Sequence, residues 1–194
     1  MLKKLPKVNF NLKTVLIGLG TICVGLALGW GLRGALLSPA NQATSARFDD
    51  WRVECAPRDQ APGGCEMFEV IIDTNTRAAV ARMAFANLDN KFTMAVTLPF
   101  DVLLEPGVGL AFGTDPIKIY QFRTCNQTGC LVTIPVDDKL EASLQKADKG
   151  RLVYAGPDQK PVGFDFSMKG YAAARPALDS GDDKRQSLWW RLVK

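Results

Sequence analysis

The 194-residue sequence contains no histidine. That absence removes Ser-His-Asp and Cys-His nucleophilic catalysis and every histidine-ligated metal site. The first forty residues contain no acid; five basic residues, Lys3, Lys4, Lys7, Lys13 and Arg33, stand there unopposed. Beyond them nineteen basic residues meet twenty acidic ones, so the formal net charge of +4 belongs to the N-terminal segment. A nearly neutral remainder argues against a nucleic-acid binder, which needs a basic face. The EF-hand pattern is missing too, and Gly107–Gly113 (GVGLAFG) departs from the dinucleotide fingerprint by one residue and lies between strand patterns. The acid pairs Asp49/Asp50, Asp137/Asp138 and Asp182/Asp183 are adjacent. On a strand, neighbours point to opposite faces, which makes them poor acid/base couples. These absences predict a protein without enzymatic activity, metal or cofactor.

What the sequence does have is one long apolar run. Thr14–Leu32 (TVLIGLGTICVGLALGWGL) holds nineteen residues and no charge. As a helix it would extend about 28 Å, close to the hydrocarbon thickness of a bilayer. Signal-peptide cores are shorter and end in small residues; here Arg33 follows directly, and the nearest cleavage candidate, Thr44-Ser45-Ala46, lies far downstream. The run is therefore read as a retained anchor over residues 14–36, with cleavage as the alternative. The basic residues before it predict a cytoplasmic N-terminus, residues 1–13, and a domain on the outer side of a bacterial inner membrane. Gly18, Thr21, Gly25 and Gly29 recur at spacings of three and four, a small-residue face on which a partner helix in lipid can approach closely.

Five cysteines occur. Cys23 lies in the apolar run. The other four form two local groups, Cys55 with Cys65 and Cys125 with Cys130, each bracketing turn residues. Four cysteines permit three connectivities. Local pairing is the simplest reading, and neither spacing fits a redox or zinc motif.

Leu37–Arg47 reads as a small, polar linker. A domain over residues 48–178 follows. Strand patterns occur at Trp51–Cys55, Glu66–Ile72, Phe92–Leu98, Val108–Phe112, Ile117–Arg123, Leu131–Val136, Arg151–Tyr154 and Val162–Met168. Arg77–Ala86 suits helix or strand and is assigned strand by its neighbours. Pro106-Gly107 predicts a type II turn. A helix is expected after Asp138 as cap, with Glu141 three residues on and Gly150 closing it; Tyr171–Leu178 reads as a second, short one. Many short strands between turns predict a mainly β, antiparallel sandwich or barrel-like domain with one or two short helices. The tail, residues 179–194, carries adjacent Trp189 and Trp190 among Arg185, Arg191 and Lys194. It suits the membrane interface, docking on a partner, or a last strand.

Five segments in order carry a family likeness: Phe48-Asp49-Asp50-Trp51 with Val53 and Cys55; Gly64-Cys65-Glu66; Leu104-Glu105-Pro106-Gly107-Val108; Phe122-Arg123 with Cys125 and Gly129-Cys130; and Ser167-Met168-Lys169-Gly170-Tyr171 with Ala173-Ala174. Over Phe48–Leu178 the chain resembles the invasion-associated locus B family of Gram-negative envelope proteins. The resemblance implies a periplasmic, β-rich domain with paired cysteines and no catalysis. The long apolar segment and the Trp-rich tail depart from the family's secreted pattern and favour a role in the envelope.

The expectation is a membrane-anchored accessory or assembly subunit that binds another membrane protein through Gly18, Thr21, Gly25, Gly29, Trp189 and Trp190, with the lipid bilayer and no nucleic acid as its other partner. The alternatives are a secreted or surface invasion or adhesion factor, and a periplasmic small-ligand binder using the sandwich interior.

Overall fold

The structure, a computed structural model, describes residues 12–37, 43–57, 64–89 and 91–186; within the first and last helices it describes the side chains of residues 18–30, 32 and 171–184. Helix α1 (Leu12–Leu37) comes first. Strands β1 (Thr44–Phe48), β2 (Trp51–Cys55), β3 (Cys65–Ile72), β4 (Ala79–Leu88), β5 (Lys91–Leu98), β6 (Val108–Phe112), β7 (Lys118–Tyr120), β8 (Thr124–Asn126) and β9 (Gly129–Pro135) follow. Helix α2 (Asp138–Lys146), strands β10 (Lys149–Ala155) and β11 (Pro161–Ser167), and helix α3 (Tyr171–Gln186) complete the chain.

The strands build two open sheets. One has seven strands in the order β1-β2-β3-β4-β5-β9-β8, the other four in the order β11-β10-β6-β7. Every pairing is antiparallel. The result is sandwich-like, and neither sheet closes into a barrel. The strict period of two explains the core. Trp51, Val53 and Cys55 of β2 are buried while Arg52 is exposed. Met67, Met83, Phe85, Met94, Val96 and Val132 extend the same inner face. Opposite them stand Val108, Leu110, Phe112, Leu152 and Phe166 of the smaller sheet. Helix α3 packs on β1, β2 and β3 and adds Tyr171, Ala174 and Leu178 to the core. Trp51, Phe85 and Tyr171 form an aromatic cluster with centroids 5.3 to 5.5 Å apart, in the tilted and edge-on arrangements that ring quadrupoles favour.

Several expectations need correction. Thr44–Arg47, read as linker, belong to β1, which pairs with β2 from Thr44↔Cys55 to Phe48↔Trp51. Ladder hydrogen bonds overrode a composition that looked like coil. The pattern Ile117–Arg123 yields a strand only over Lys118–Tyr120. Helix α2 is capped by Asp137, whose side chain accepts from the Leu140 amide at 2.7 Å, and not by Asp138. The helix ends at Lys146, and Gly150 lies inside β10. The last helix runs to Gln186, well past Leu178, and so takes in the first half of the expected tail.

Helix α1 is 26 residues long on its backbone, about 39 Å. Among the described residues no helix is long and apolar enough to cross a membrane. The run of α1 with described side chains, 18–30, is shorter than the roughly twenty residues a span requires. The span assigned to Thr14–Leu32 is therefore not a structural finding.

Candidate functional site

The cysteines pair locally, as the simplest sequence reading has it. Cys55 bonds Cys65 across β2 and β3, and Cys125 bonds Cys130 across β8 and β9. Cys55 and Cys65 are buried beneath α3, where Gly181 is required: a Cβ there would stand 2.6 Å from the Cys65 sulfur. Cys125, by contrast, is exposed. Replacing Cys55 and Cys65 by serine is expected to cost about 2–4 kcal/mol. The Cys125/Cys130 double variant should cost less, because its closed loop is shorter and less packing is lost. Urea unfolding of the two variants checks this order; equal losses would contradict it.

Among the described residues nothing packs on the small-residue face of α1. A Cβ added at Gly18, Gly25 or Gly29 meets nothing within 4 Å, and the Thr21 hydroxyl donates to the Gly18 carbonyl at 2.9 Å. Around that face Leu19, Ile22, Val24, Leu26, Leu28 and Trp30 are all exposed, Trp30 by 83%. Trp189 and Trp190 lie outside the described residues.

A polar seam docks α3. The Tyr171 hydroxyl donates to Glu141 Oε2 of α2 at 2.9 Å. Burial, and next the Glu141 charge, push the Tyr171 phenol far above its ordinary range, so it keeps the proton it donates to Glu141. Arg175 Nε sits 3.4 Å from Glu141 Oε1, its guanidinium pairs with Asp179, and it stacks 3.8 Å over the Phe92 ring. Further along α3, Asp182 Oδ1 accepts from the Cys65 amide at 2.8 Å and Oδ2 from Asn87 Nδ2 at 2.8 Å. Glu141, assigned by sequence to a capping role, is thus a tertiary anchor. The seam holds two helices on the sheet.

Sequence reasoning missed Glu69. The stretch Glu66–Ile72 has apolar residues on both faces, so periodicity did not choose a face. The structure turns Met67, Glu69 and Ile71 inward and leaves Val70 and Ile72 exposed. Glu69 is only 8% exposed, and its Oε2 has no hydrogen-bond partner among the described residues. Burial, reinforced by the negative charge of Asp50, pushes its carboxyl up to about 8; the Ser167 backbone acts in the opposite direction. The one signal in the sequence was a lone acid inside an apolar strand.

Glu69 lines a notch of about 320 Å³ where the β1–β2 turn, β3 and β11 meet, together with Arg47, Asp50, Asp165 and Ser167. Asp165 is already paired with Arg151 at 2.7 Å, and Arg47 Nε donates to the Asp49 carbonyl at 2.9 Å. Two larger depressions, about 640 and 560 Å³, open on the outer side of the large sheet, beside Glu54, Glu66 and Ala86 and beside Val70, Arg82 and Thr97. Among the described residues no group of three His, Cys, Asp or Glu side chains is placed to hold a metal ion.

Fold and site together define a disulfide-clipped, sandwich-like β module whose polar groups largely bond one another. The family model described as invasion associated locus B (IalB) protein matches residues 51–179, more than half of the chain, and the chain belongs to that family. A crystal structure of invasion associated protein B from Bartonella henselae is similar, with a TM-score of 0.61 and 20% identity over 71% of this chain and 96% of that one. At that identity the likeness is one of fold. No curated protein matches the sequence.

Proposed function

We propose that this chain is a non-enzymatic, membrane-tethered module of the bacterial envelope, an accessory or assembly subunit that binds another membrane protein. One observation carries the reading. The described side chains of α1 are apolar on every side of the helix and exposed on every side, with no polar face. A helix of that kind needs lipid or other helices around it. The excess of Lys3, Lys4, Lys7 and Lys13 before it favours a cytoplasmic N-terminus, with the β module in the periplasm. Two disulfides fit an oxidising compartment. Gly18, Thr21, Gly25 and Gly29 supply the surface for close helix approach, and Trp189 and Trp190 a second contact.

The test exchanges α1. The full chain, tagged at its C-terminus, is purified in mild detergent beside a version carrying an unrelated membrane helix of equal length. The expected result is a stoichiometric membrane-protein partner with the first and loss of that partner with the second. A lone chain in both preparations would contradict the proposal. The family description and the name of the Bartonella relative favour a second reading, an invasion or adhesion factor released or displayed at the surface. Recovery of the mature module from the medium would favour that second reading.

A further inference from the structure

We propose that the module meets the membrane with the end that carries the Cys55–Cys65 disulfide, where α3 delivers a basic, tryptophan-bearing segment to the lipid headgroups, and that the Cys125–Cys130 end points away. This orientation rests on the tether proposed above and names the surface that the tether presents. The chain enters and leaves the β module at one end. Five residues separate Leu37, the last of α1, from Ala43. Six Cα steps reach at most about 22 Å, whatever path they take. Thr44 pairs with Cys55, and Cys55 with Cys65, so the chain enters at that disulfide. Helix α3 leaves there. It starts beside Trp51 and Phe85, and at Gly181 and Asp182 it has reached the Cys55 and Cys65 sulfurs and the Cys65 amide.

The second disulfide marks the opposite end. Strand β5 pairs with β4 at Lys91↔Leu88 and with β9 at Leu98↔Cys130. Its eight residues set the two ends about 23 Å apart. Two passages of the chain at one end, one of them a short tie to a membrane helix, turn that end toward the bilayer. Composition says what the end meets there. From Lys184 to Lys194 the sequence has four basic residues, Lys184, Arg185, Arg191 and Lys194, and no acid. Trp189 and Trp190 lie among them, within about 14 Å of the end of α3 at Gln186 by chain length alone. On the described rim Lys91 is balanced by Asp89 and Lys184 by Asp183, so the positive excess comes from Arg185, Arg191 and Lys194. Tryptophan settles at the level of the headgroups, and lysine and arginine are drawn to anionic lipid. Trp189 and Trp190, the second contact named above, therefore meet a membrane partner at headgroup depth and not at the far tip of the module.

The experiment reconstitutes the full chain in liposomes containing anionic lipid. In one set the headgroups carry an energy-transfer acceptor, and the protein carries a fluorescent amino acid at Lys91 or at Gln127, both exposed, at opposite ends of the module. In the other set the lipids are brominated near the headgroup and the protein is Trp30→Phe, whose remaining tryptophans are Trp51, buried in the core, and the pair Trp189 and Trp190. The expected result is flotation with the liposomes and transfer from Lys91 at least about twofold more efficient than from Gln127, as the separation of the ends requires. Bromine should quench an emission that is lost in the further variant Trp189→Phe/Trp190→Phe. Flotation with equal transfer, or with more from Gln127, overturns the orientation and leaves the tether standing. Transfer as expected without quenching overturns the assignment of the tail to lipid and points to a protein contact instead. A chain that does not float overturns the tether itself, and the orientation with it.

Discussion

Glu69→Gln is expected to stabilise the fold by about 3 kcal/mol at neutral pH and to flatten its pH dependence. The sign follows from proton counting. The carboxyl is raised from 4.5 in the unfolded chain to about 8 in the folded one. Below the lower value both states hold the proton, and Glu69 contributes no pH dependence. Between the two values the unfolded chain has released its proton while the folded chain still binds one. Stability therefore falls as pH rises, by about 1.4 kcal/mol for each pH unit in that window. Glutamine copies the shape of the neutral acid and has nothing to ionise. Urea unfolding of both proteins at about pH 5, 7 and 8 should show curves that separate with rising pH. Parallel pH profiles would mean that Glu69 is solvated in the folded protein, and the notch would lose its buried acid.

Gly170→Ala should cost about 3 kcal/mol or more, the sum of overpacking and a backbone conformation that alanine rarely adopts. Gly170 has φ +92°, and a Cβ there would lie 2.0 Å from the Phe48 carbonyl oxygen and 2.7 Å from its carbon. Both obstacles are backbone, so neither can rotate away. The contact joins the first hairpin turn to the start of α3, beside the Asp50 amide hydrogen bond to the Lys169 carbonyl. Relief requires α3 to withdraw from the sheet, taking with it Tyr171 and its aromatic partners. The same substitution at Gly25 of α1, where nothing lies within 4 Å, is the control and should leave the β module's unfolding midpoint unchanged. A Gly170→Ala protein with an unaltered midpoint would show that the turn and the helix are not in contact.

The architecture was legible where local chemistry and tertiary need agree. Trp51–Cys55 alternates strictly, and it is a strand with its apolar side inward. Arg77–Ala86 has ambiguous composition, yet its neighbours decide for a strand, and Ala79–Leu88 is one. The cysteines bracket turns and pair across them. Legibility failed where the deciding contact is distant in sequence. Thr44–Phe48 has nothing strand-like about it except the edge of β2. Helix α3 continues past Leu178 because Asp179 and Asp182 reach Asn87 and the Cys65 amide, about a hundred residues away in the chain. Pro176 sits inside that helix, as it does inside the Tyr171–Leu178 segment read as helical from the sequence. Glu69 was invisible for a related reason. A strand with apolar residues on both faces does not announce which side faces the core, and only the register with β4 turns the acid inward. The residues lining the notch come from three separate elements, and no linear motif joins them.

The tether is the claim on which location and partner both rest. Its most direct measurement is the intact mass and N-terminal sequence of the protein recovered from cells, taken on membrane and soluble fractions after an alkaline wash. The account predicts a chain that keeps Thr14–Leu32 and remains with the membranes. A chain that begins beyond Ala40 and appears in the soluble fraction would contradict it.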